Sequence, residues 1–371
     1  MEFNGVTWNI MAPVPEPIRY CGQKERMRRV RPALTQHIAT LIDKPLDVVV
    51  LQESIIVAQH RIVSRDLHAH GFIHESRQLV GKLRALKFVQ GGVVVFSRHP
   101  ILHQDHCIFE GLCDKEDCFA AKGCVYTCLN KQGVRVHVFA VHLNAWESPQ
   151  SRRVRRGQMH EVRRFMEKQN IAPHEPVMVL GDINVDLYSE RKQLQALQDM
   201  VECDLLARHP QSHPFTSDPL TNALVGMDDT SAYRSPAYPY GCSEQYRIHL
   251  TCMCCPQEWL DHVMISRNHA PIRRYESWVR AVALKMEPFE IHMGAHMKRT
   301  VRDVSDHYPV LFHCVFPDVH VNHAELVPPP TPAPASTTVP KMPPIMRIGW
   351  VVGLICLLVV GMMIMWTTKF V

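Results

Sequence analysis

Short apolar runs rich in β-branched residues recur along the first 316 positions: "VTWNIM" (6–11), "DVVVLQE" (47–53), "GGVVVFS" (91–97), "CVYTCL" (124–129), "VHVFAVHL" (136–143), "PVMVLGDIN" (176–184), "LDHVMIS" (260–266) and "YPVLFHCVF" (308–316). Their lengths and bounding turns predict buried strands. Between some of them, in 24–42, 150–169 and 189–201, apolar residues recur at helical spacing with charge on the opposite face, which predicts amphipathic helices. Strands alternate with helices in places and follow one another directly in others. The expected architecture is therefore α/β, two sheets packed face to face with helices outside.

Polar residues fall at the ends of these runs. Asn9 follows Trp8, Glu53 closes "VVVLQE", His142 closes "VFAVHL", Asp182 and Asn184 close "VMVLGDIN", Asp261 opens "LDHVM", and Asp306 and His307 precede the last run. Taken alone, any one of them reads as a rim residue, because strands end in charge. Carboxylates, amides and two imidazoles on six strand ends, with no nucleophilic Ser or Cys among them, point instead to one pocket on rigid supports.

That set suits attack by water on phosphorus. Glu53 with Asn9 supplies the oxygen ligands that a hard ion such as Mg2+ prefers, with Mn2+ as the alternative. An imidazole of near-neutral pKa can take the proton from water while a carboxylate on its other nitrogen fixes its orientation. His142 and Asn184 can donate to oxygens that gain charge in the transition state.

The composition of these 371 residues is ordinary for a globular protein, and a net charge of +5 from 41 basic and 36 acidic side chains singles out no partner. The basic runs Arg26–Arg31 and Arg152–Arg164 read as solvated helix faces, or as contacts for lipid phosphates or a nucleic-acid backbone. Patterning changes after residue 316. A proline-rich spacer occupies 317–346, and Ile348–Trp366 is a 19-residue uncharged stretch, ~28 Å long as a helix and so long enough to span a bilayer. Gly349 and Gly353 form a GxxxG pair that could bring two such helices together. The first residues lack a basic head and a long apolar run, so the expected topology is a C-terminal tail anchor (347–371) with the domain 1–316 in the cytosol. Thirteen cysteines fit that compartment as mostly free thiols, including Cys242, Cys252, Cys254 and Cys255, whose spacing beside His249 matches no regular zinc pattern.

In order, "TWN", "LQE", "VHL", "GDIN", "LDHV" and "SDHYPV" resemble the motif series of the endonuclease/exonuclease/phosphatase superfamily. The resemblance implies a four-layer α/β sandwich and Mg2+-dependent phosphodiester hydrolysis. It makes Glu53 the principal metal ligand with Asn9 beside it, and His307 the general base oriented by Asp261. Asp182, Asn184 and His142 would hold the phosphate, and Asp306 would support the metal or its water. The "PxWxDR" expected of inositol-polyphosphate phosphatases is replaced by "EWLDHVM". The stretch "DCFAAKGCVYTCL", with Asp117 five residues before Lys122, resembles the segment of neutral sphingomyelinases in which an Asp and a Lys act as a switch. The substrate this implies is sphingomyelin or a related phospholipid. A membrane-tethered nuclease of the same fold and a catalytically silent membrane scaffold are the alternatives.

Overall fold

The computed structural model describes residues 1–12, 22–42, 44–81, 87, 89–225, 256–292, 298–317, 319 and 321. The proline-rich spacer, the apolar stretch 348–366 and the cysteine cluster 242–255 lie outside these residues; among the described ones no helix is long and apolar enough to cross a membrane.

Two six-stranded mixed sheets form the centre. The first contains β1 (Glu2–Ala12), β2 (Val48–Ser54), β3 (His74–Glu75), β4 (Val94–Ser97), β11 (Trp278–Ala281) and β14 (Val310–Val315), in the order β11-β14-β1-β2-β4-β3. The second contains β5 (Ile101–Ile108), β6 (Gly123–Lys131), β7 (Val134–His142), β8 (Val177–Asp182), β9 (Cys203–Leu205) and β10 (Asp261–Ser266), in the order β5-β6-β7-β8-β10-β9. Each sheet has one parallel pair, β1 with β2 and β7 with β8, and antiparallel pairs elsewhere.

Period-two alternation sorts the side chains into layers. Val48 and Val50 of β2 join Met178 and Leu180 of β8 and Val310 and Phe312 of β14 in a core between the sheets. Their neighbours Val49, Leu51 and Leu311 face outward against Met27 and Val30 of α1 (Gln23–Pro32) and Val63 and Leu67 of α2 (Val57–His68). On the other side, Val177 and Val179 pack on Met159 and Val162 of α3 (Pro149–Lys168) and Leu194 and Leu197 of α4 (Arg191–Val201). The order is helix, sheet, sheet, helix. Both faces of each central strand are buried, which is why those strands read as unbroken apolar runs.

Some elements differ from the sequence reading. The helix expected over 24–42 is regular only to Pro32, then widens into a π-helical turn (Ala33–Ile38) and a 3-10 turn (Ala39–Leu41), because proline has no N–H to give the preceding turn. Helix α2 and strand β5 were not foreseen; charged and imidazole side chains interrupt their apolar pattern. Of the apolar residues between Asp261 and Asp306, Val279, Leu284 and Phe289 are buried in the cores. Phe289 opens a small hairpin, β12 (Phe289–His292) with β13 (Lys298–Val301), whose Ile291 and Val301 also point inward. The cysteines are not all thiols: Cys113 and Cys118 form a disulfide, while Cys107, Cys124, Cys128, Cys203 and Cys314 are free.

Candidate active site

At one end of the sandwich both sheets stop on polar residues. In the first sheet the β1–β2 register slips between Asn9 and Ala12, a bulge opposite Glu53, and both Met11 (φ 50°) and Glu53 (φ 57°) take left-handed backbone conformations. Non-glycine residues adopt that region at a cost. Gly92 packs behind: a Cβ there would lie 3.0 Å from the Glu53 Cα. The bulge interrupts the pairing, which resumes at Ala12 and Ser54, and turns Glu53 out of the ladder. Met11 N–H donates to Asn9 Oδ1 (3.0 Å), so Asn9 Nδ2 faces outward and donates to Glu53 Oε1 (3.1 Å) and Asp182 Oδ2 (3.0 Å). Asn9 therefore ties a carboxylate of one sheet to a carboxylate of the other, and the atom it presents is its amide nitrogen.

In the second sheet three neighbouring strands finish in register. Asp182 of β8 is the ladder partner of both His142 on β7 and Asp261 on β10. Gly181 (φ 139°) permits this, since a Cβ there would stand 2.0 Å from the Val141 carbonyl oxygen. Asn184, also left-handed (φ 53°), turns the chain away; its N–H donates to Asp182 Oδ1 (3.0 Å) and its Nδ2 to the Leu143 carbonyl (3.1 Å).

Burial, and then the Asp261 carboxylate beside it, pushes the Asp182 carboxyl up to about 7, against the pull of His307, Asn9 and Lys122. Asp261 is fully buried and accepts from His307 Nδ1 at 2.8 Å. Burial alone would lower the His307 pKa, but Asp261, Asp182 and Asp306 outweigh it and hold it well above the ordinary value. Asp182, Asp261 and His307 each offer a ligand atom within 4.8 Å of the others, and the second oxygen of Asp261, Oδ1, is buried with no hydrogen-bond partner. Crowded carboxylates, one oxygen unsatisfied, with Glu53 joined to the group through Asn9, fit a hard divalent cation.

His142 is buried and held neutral, first by desolvation and then by the charge of Lys122. Its Nε2 lies 3.1 Å from the Lys122 ammonium and 3.5 Å from Asp182 Oδ2. Lys122, 6% exposed, also donates to Asp117 Oδ2 (2.8 Å) and the Leu143 carbonyl (2.8 Å), so three acceptors meet its three protons. Asp117 receives a second bond from Ala145 N–H (2.7 Å). It sits in a 3-10 turn, Lys115–Phe119, which the Cys113–Cys118 bond encloses. The Asp117–Lys122 pair thus reaches the pocket through His142. Asp306 acts on His307 through its charge and is not one of the three groups within 4.8 Å of one another; its Oδ1 takes the Ser305 hydroxyl (3.2 Å).

Sequence reasoning missed the groups that fasten the His307 loop. Trp8 Nε1–H donates to the His307 carbonyl (2.9 Å), Ser305 Oγ–H to the Asn9 carbonyl (2.6 Å), and Asn222 Nδ2 to the Ser305 and Asp306 carbonyls (2.9 and 3.2 Å). Ser305 adjoins a recognised motif and could have been suspected; Asn222, more than 80 residues away in sequence, carried no signal.

With this geometry established, likeness to known proteins becomes informative. A model of the endonuclease/exonuclease/phosphatase family matches residues 6–307, from the first strand to the buried imidazole. The chain belongs to that family. Its relatives in the family include Sphingomyelinase C 2 from Leptospira interrogans, 28% identical over 236 residues, covering 62% of this chain and 32% of that protein. A Phospholipase C from Staphylococcus aureus is 27% identical over 228 residues (59% and 58%), and Sphingomyelinase C from Listeria ivanovii is 27% identical over 283 residues (71% and 74%). The matches thus span about a third of the Leptospira protein and just over half of the Staphylococcus one. Among solved structures, Sphingomyelinase C from Streptomyces griseocarneus superposes with TM-score 0.66 at 23% identity, covering 85% of this chain and 99% of that one. A beta toxin variant from Staphylococcus aureus with bound magnesium ions superposes with TM-score 0.67 at 21% identity, covering 84% and 99%. At those identities the superpositions establish the shared family fold.

Proposed function

We propose that the protein is a Mg2+-dependent phosphodiesterase of phospholipase C type that hydrolyses sphingomyelin or a related phospholipid to a ceramide-like lipid and phosphocholine. The observation that carries the reading is the 2.8 Å His307–Asp261 pair beside the Asp182 carboxylate, a base with its orienter next to a cation-binding group. The curated relatives, sphingomyelinases C and phospholipases C, supply the substrate class.

In this mechanism Glu53 would be the principal ligand of the cation, supported by Asn9 and the neighbouring carboxylates. The bound cation neutralises charge on the phosphate oxygens. Asp261 keeps the His307 ring oriented with Nδ1 as donor, and Nε2 takes the proton from water in the neutral ring, the form that a cation on the neighbouring carboxylates would favour by offsetting their charge. The water oxygen bonds to phosphorus, the P–O bond to the lipid alcohol breaks, and the departing alkoxide is protonated from solvent. His142 and Asn184 would hold the phosphate as charge builds up on it, and Lys122 would act on it through His142. No covalent intermediate is needed. Residues 348–366 would anchor the chain where lipid headgroups are presented, raising the effective substrate concentration.

The nuclease alternative calls for a basic face on α3. Four of its six arginines are instead paired with glutamates: Arg152 and Arg155 with Glu190, Arg163 with Glu167 and Glu202, Arg164 with Glu161. That neutralisation favours lipid over a polynucleotide backbone. The test is phosphocholine release from sphingomyelin in mixed micelles by the full chain, with Mg2+ or chelator, beside His307→Ala and a plasmid substrate. Mg2+-dependent release that falls by about 10²–10⁴-fold in His307→Ala, with the plasmid intact, is the expected result. Plasmid nicking without lipid turnover would overturn the substrate; turnover undiminished in His307→Ala would overturn the mechanism.

A further inference from the structure

We propose that Asn222, in the segment between β9 and β10 to which the reaction assigns nothing, is a positioning residue for His307. The proposal rests on the phosphodiesterase reading of the site. His307 works only if its ring faces Asp261 squarely, yet the chain between β13 and β14 that carries it has no continuous ladder to hold it: strand pairing stops at Val301 and resumes at Val310, with a single isolated bridge from Ser217 to His307 between them. Side chains add to that one backbone bridge. The carbonyls of Ser305, Asp306 and His307 each accept a bond from one, and two of those three bonds come from the single amide of Asn222.

Asn222 is built for that task. It is 1% exposed, both protons of its Nδ2 are used on the Ser305 and Asp306 carbonyls, and its Oδ1 accepts from Leu224 N–H (3.0 Å), which fixes which end of the amide faces the loop. Its own N–H donates to the Asp218 carbonyl (2.8 Å), and the Asp218 carboxylate receives Leu220 N–H and the Thr221 hydroxyl, making a rigid turn. The turn docks on the loop a second time through Tyr308 N–H and the Thr216 carbonyl (2.6 Å). Among the described residues Asn222 bonds to no carboxylate of the cluster, so its influence on the chemistry runs through the peptide it holds. Freed of it, two buried carbonyls lose their donors and the loop can drift by a fraction of the 2.8 Å His307–Asp261 separation; a misplacement of about 1 Å costs on the order of 10²-fold in rate.

The test compares Asn222→Ala with Ser277→Ala in the full-length chain. Ser277 makes the same kind of buried side-chain bond, to Val315 N–H (3.0 Å), at the far end of β14, and so controls for lost stability alone. Asn222→Ser, which keeps one donor, is the milder variant should Asn222→Ala not fold. Expected is a fall in kcat of about 10²-fold with KM within about twofold for Asn222→Ala, a smaller fall for Asn222→Ser, and kcat within about threefold of the parent for Ser277→Ala. The second readout is the low-field proton resonance of the His307 Nδ1–H held by Asp261, identified by its loss in His307→Ala and expected to broaden in Asn222→Ala but not in Ser277→Ala. Equal kcat losses in the two alanine variants, or a sharp unshifted resonance in Asn222→Ala, would overturn the assignment. A parent protein with no turnover would refute the phosphodiesterase reading, and the resonance would still decide the role of Asn222.

Discussion

Replacing Asp182 by asparagine should abolish activity and at the same time make the metal-free protein more stable. The Asp182 carboxyl is raised from 3.8 to about 7, by burial first and Asp261 second, a difference of about 4 kcal/mol between its two protonation states. For an acid whose folded pKa is raised, the unfolded chain loses its proton near 4 while the folded chain keeps it until about 7. Stability therefore falls as pH rises across that window and is flat above it. His307, raised well above 6.5, extends the decline to higher pH, since its contribution is complete below 6.5 and lost as pH climbs through the folded value. Asparagine removes the Asp182 share. It also brings a cost: Asp182 accepts on both oxygens, from Asn9 Nδ2 and Asn184 N–H, and either orientation of the new amide sets donor against donor, worth about 1–3 kcal/mol. The net expectation is a gain of roughly 2 kcal/mol at pH 8 in chelator. Urea denaturation at several pH values between 4.5 and 8.5, with chelator and with Mg2+, reads this directly. In the parent, Mg2+ should recover the stability lost at high pH, because it neutralises the same carboxylates; in Asp182→Asn it should recover less. A parent whose stability does not change with pH in chelator, or an Asp182→Asn protein less stable than the parent at pH 8, would refute the reasoning.

Two further outcomes follow from the second link in the site. Lys122→Met removes one cation from three acceptors and leaves Asp117 and His142 without their shared partner; a loss of about 3–5 kcal/mol is expected, measured as a lower urea midpoint at unchanged m-value. Cys113→Ser opens the loop that carries Asp117, closed by a bond between residues five apart, and should cost about 2 kcal/mol on the chain-entropy account; dithiothreitol applied to the parent should reproduce the same shift in Tm, and no shift in either case would show that the loop is held by its other bonds.

The two-sheet arrangement and the polar residues at its strand ends were legible because strand ends are local events. Several apolar runs begin or end on a residue of the candidate site, and buried strands need both faces apolar, so Glu53, His142, Asp182 and Asp261 stand out at their boundaries. Helix α2 and the β12–β13 hairpin were illegible because half of each faces solvent, and His60, His68, Glu290 and Lys298 break the apolar period there. The partners of the site were illegible for a different reason. That Asp182 stands opposite both His142 and Asp261 is a fact of ladder register, which no single strand contains. That Asn9 presents nitrogen to two carboxylates depends on a bulge one residue away.

The sequence by itself thus determined the layered architecture, the family and the residues at the strand ends, because burial periodicity and motif order are written along one chain. Only the tertiary structure decided which charges are neighbours: the carboxyl pushed toward neutrality, the Lys122 ammonium against His142, and Asn222 behind the His307 loop. Those depend on how strands pair and how distant loops dock, and electrostatic and hydrogen-bond energies are set by separations of a few ångströms that the linear order does not encode.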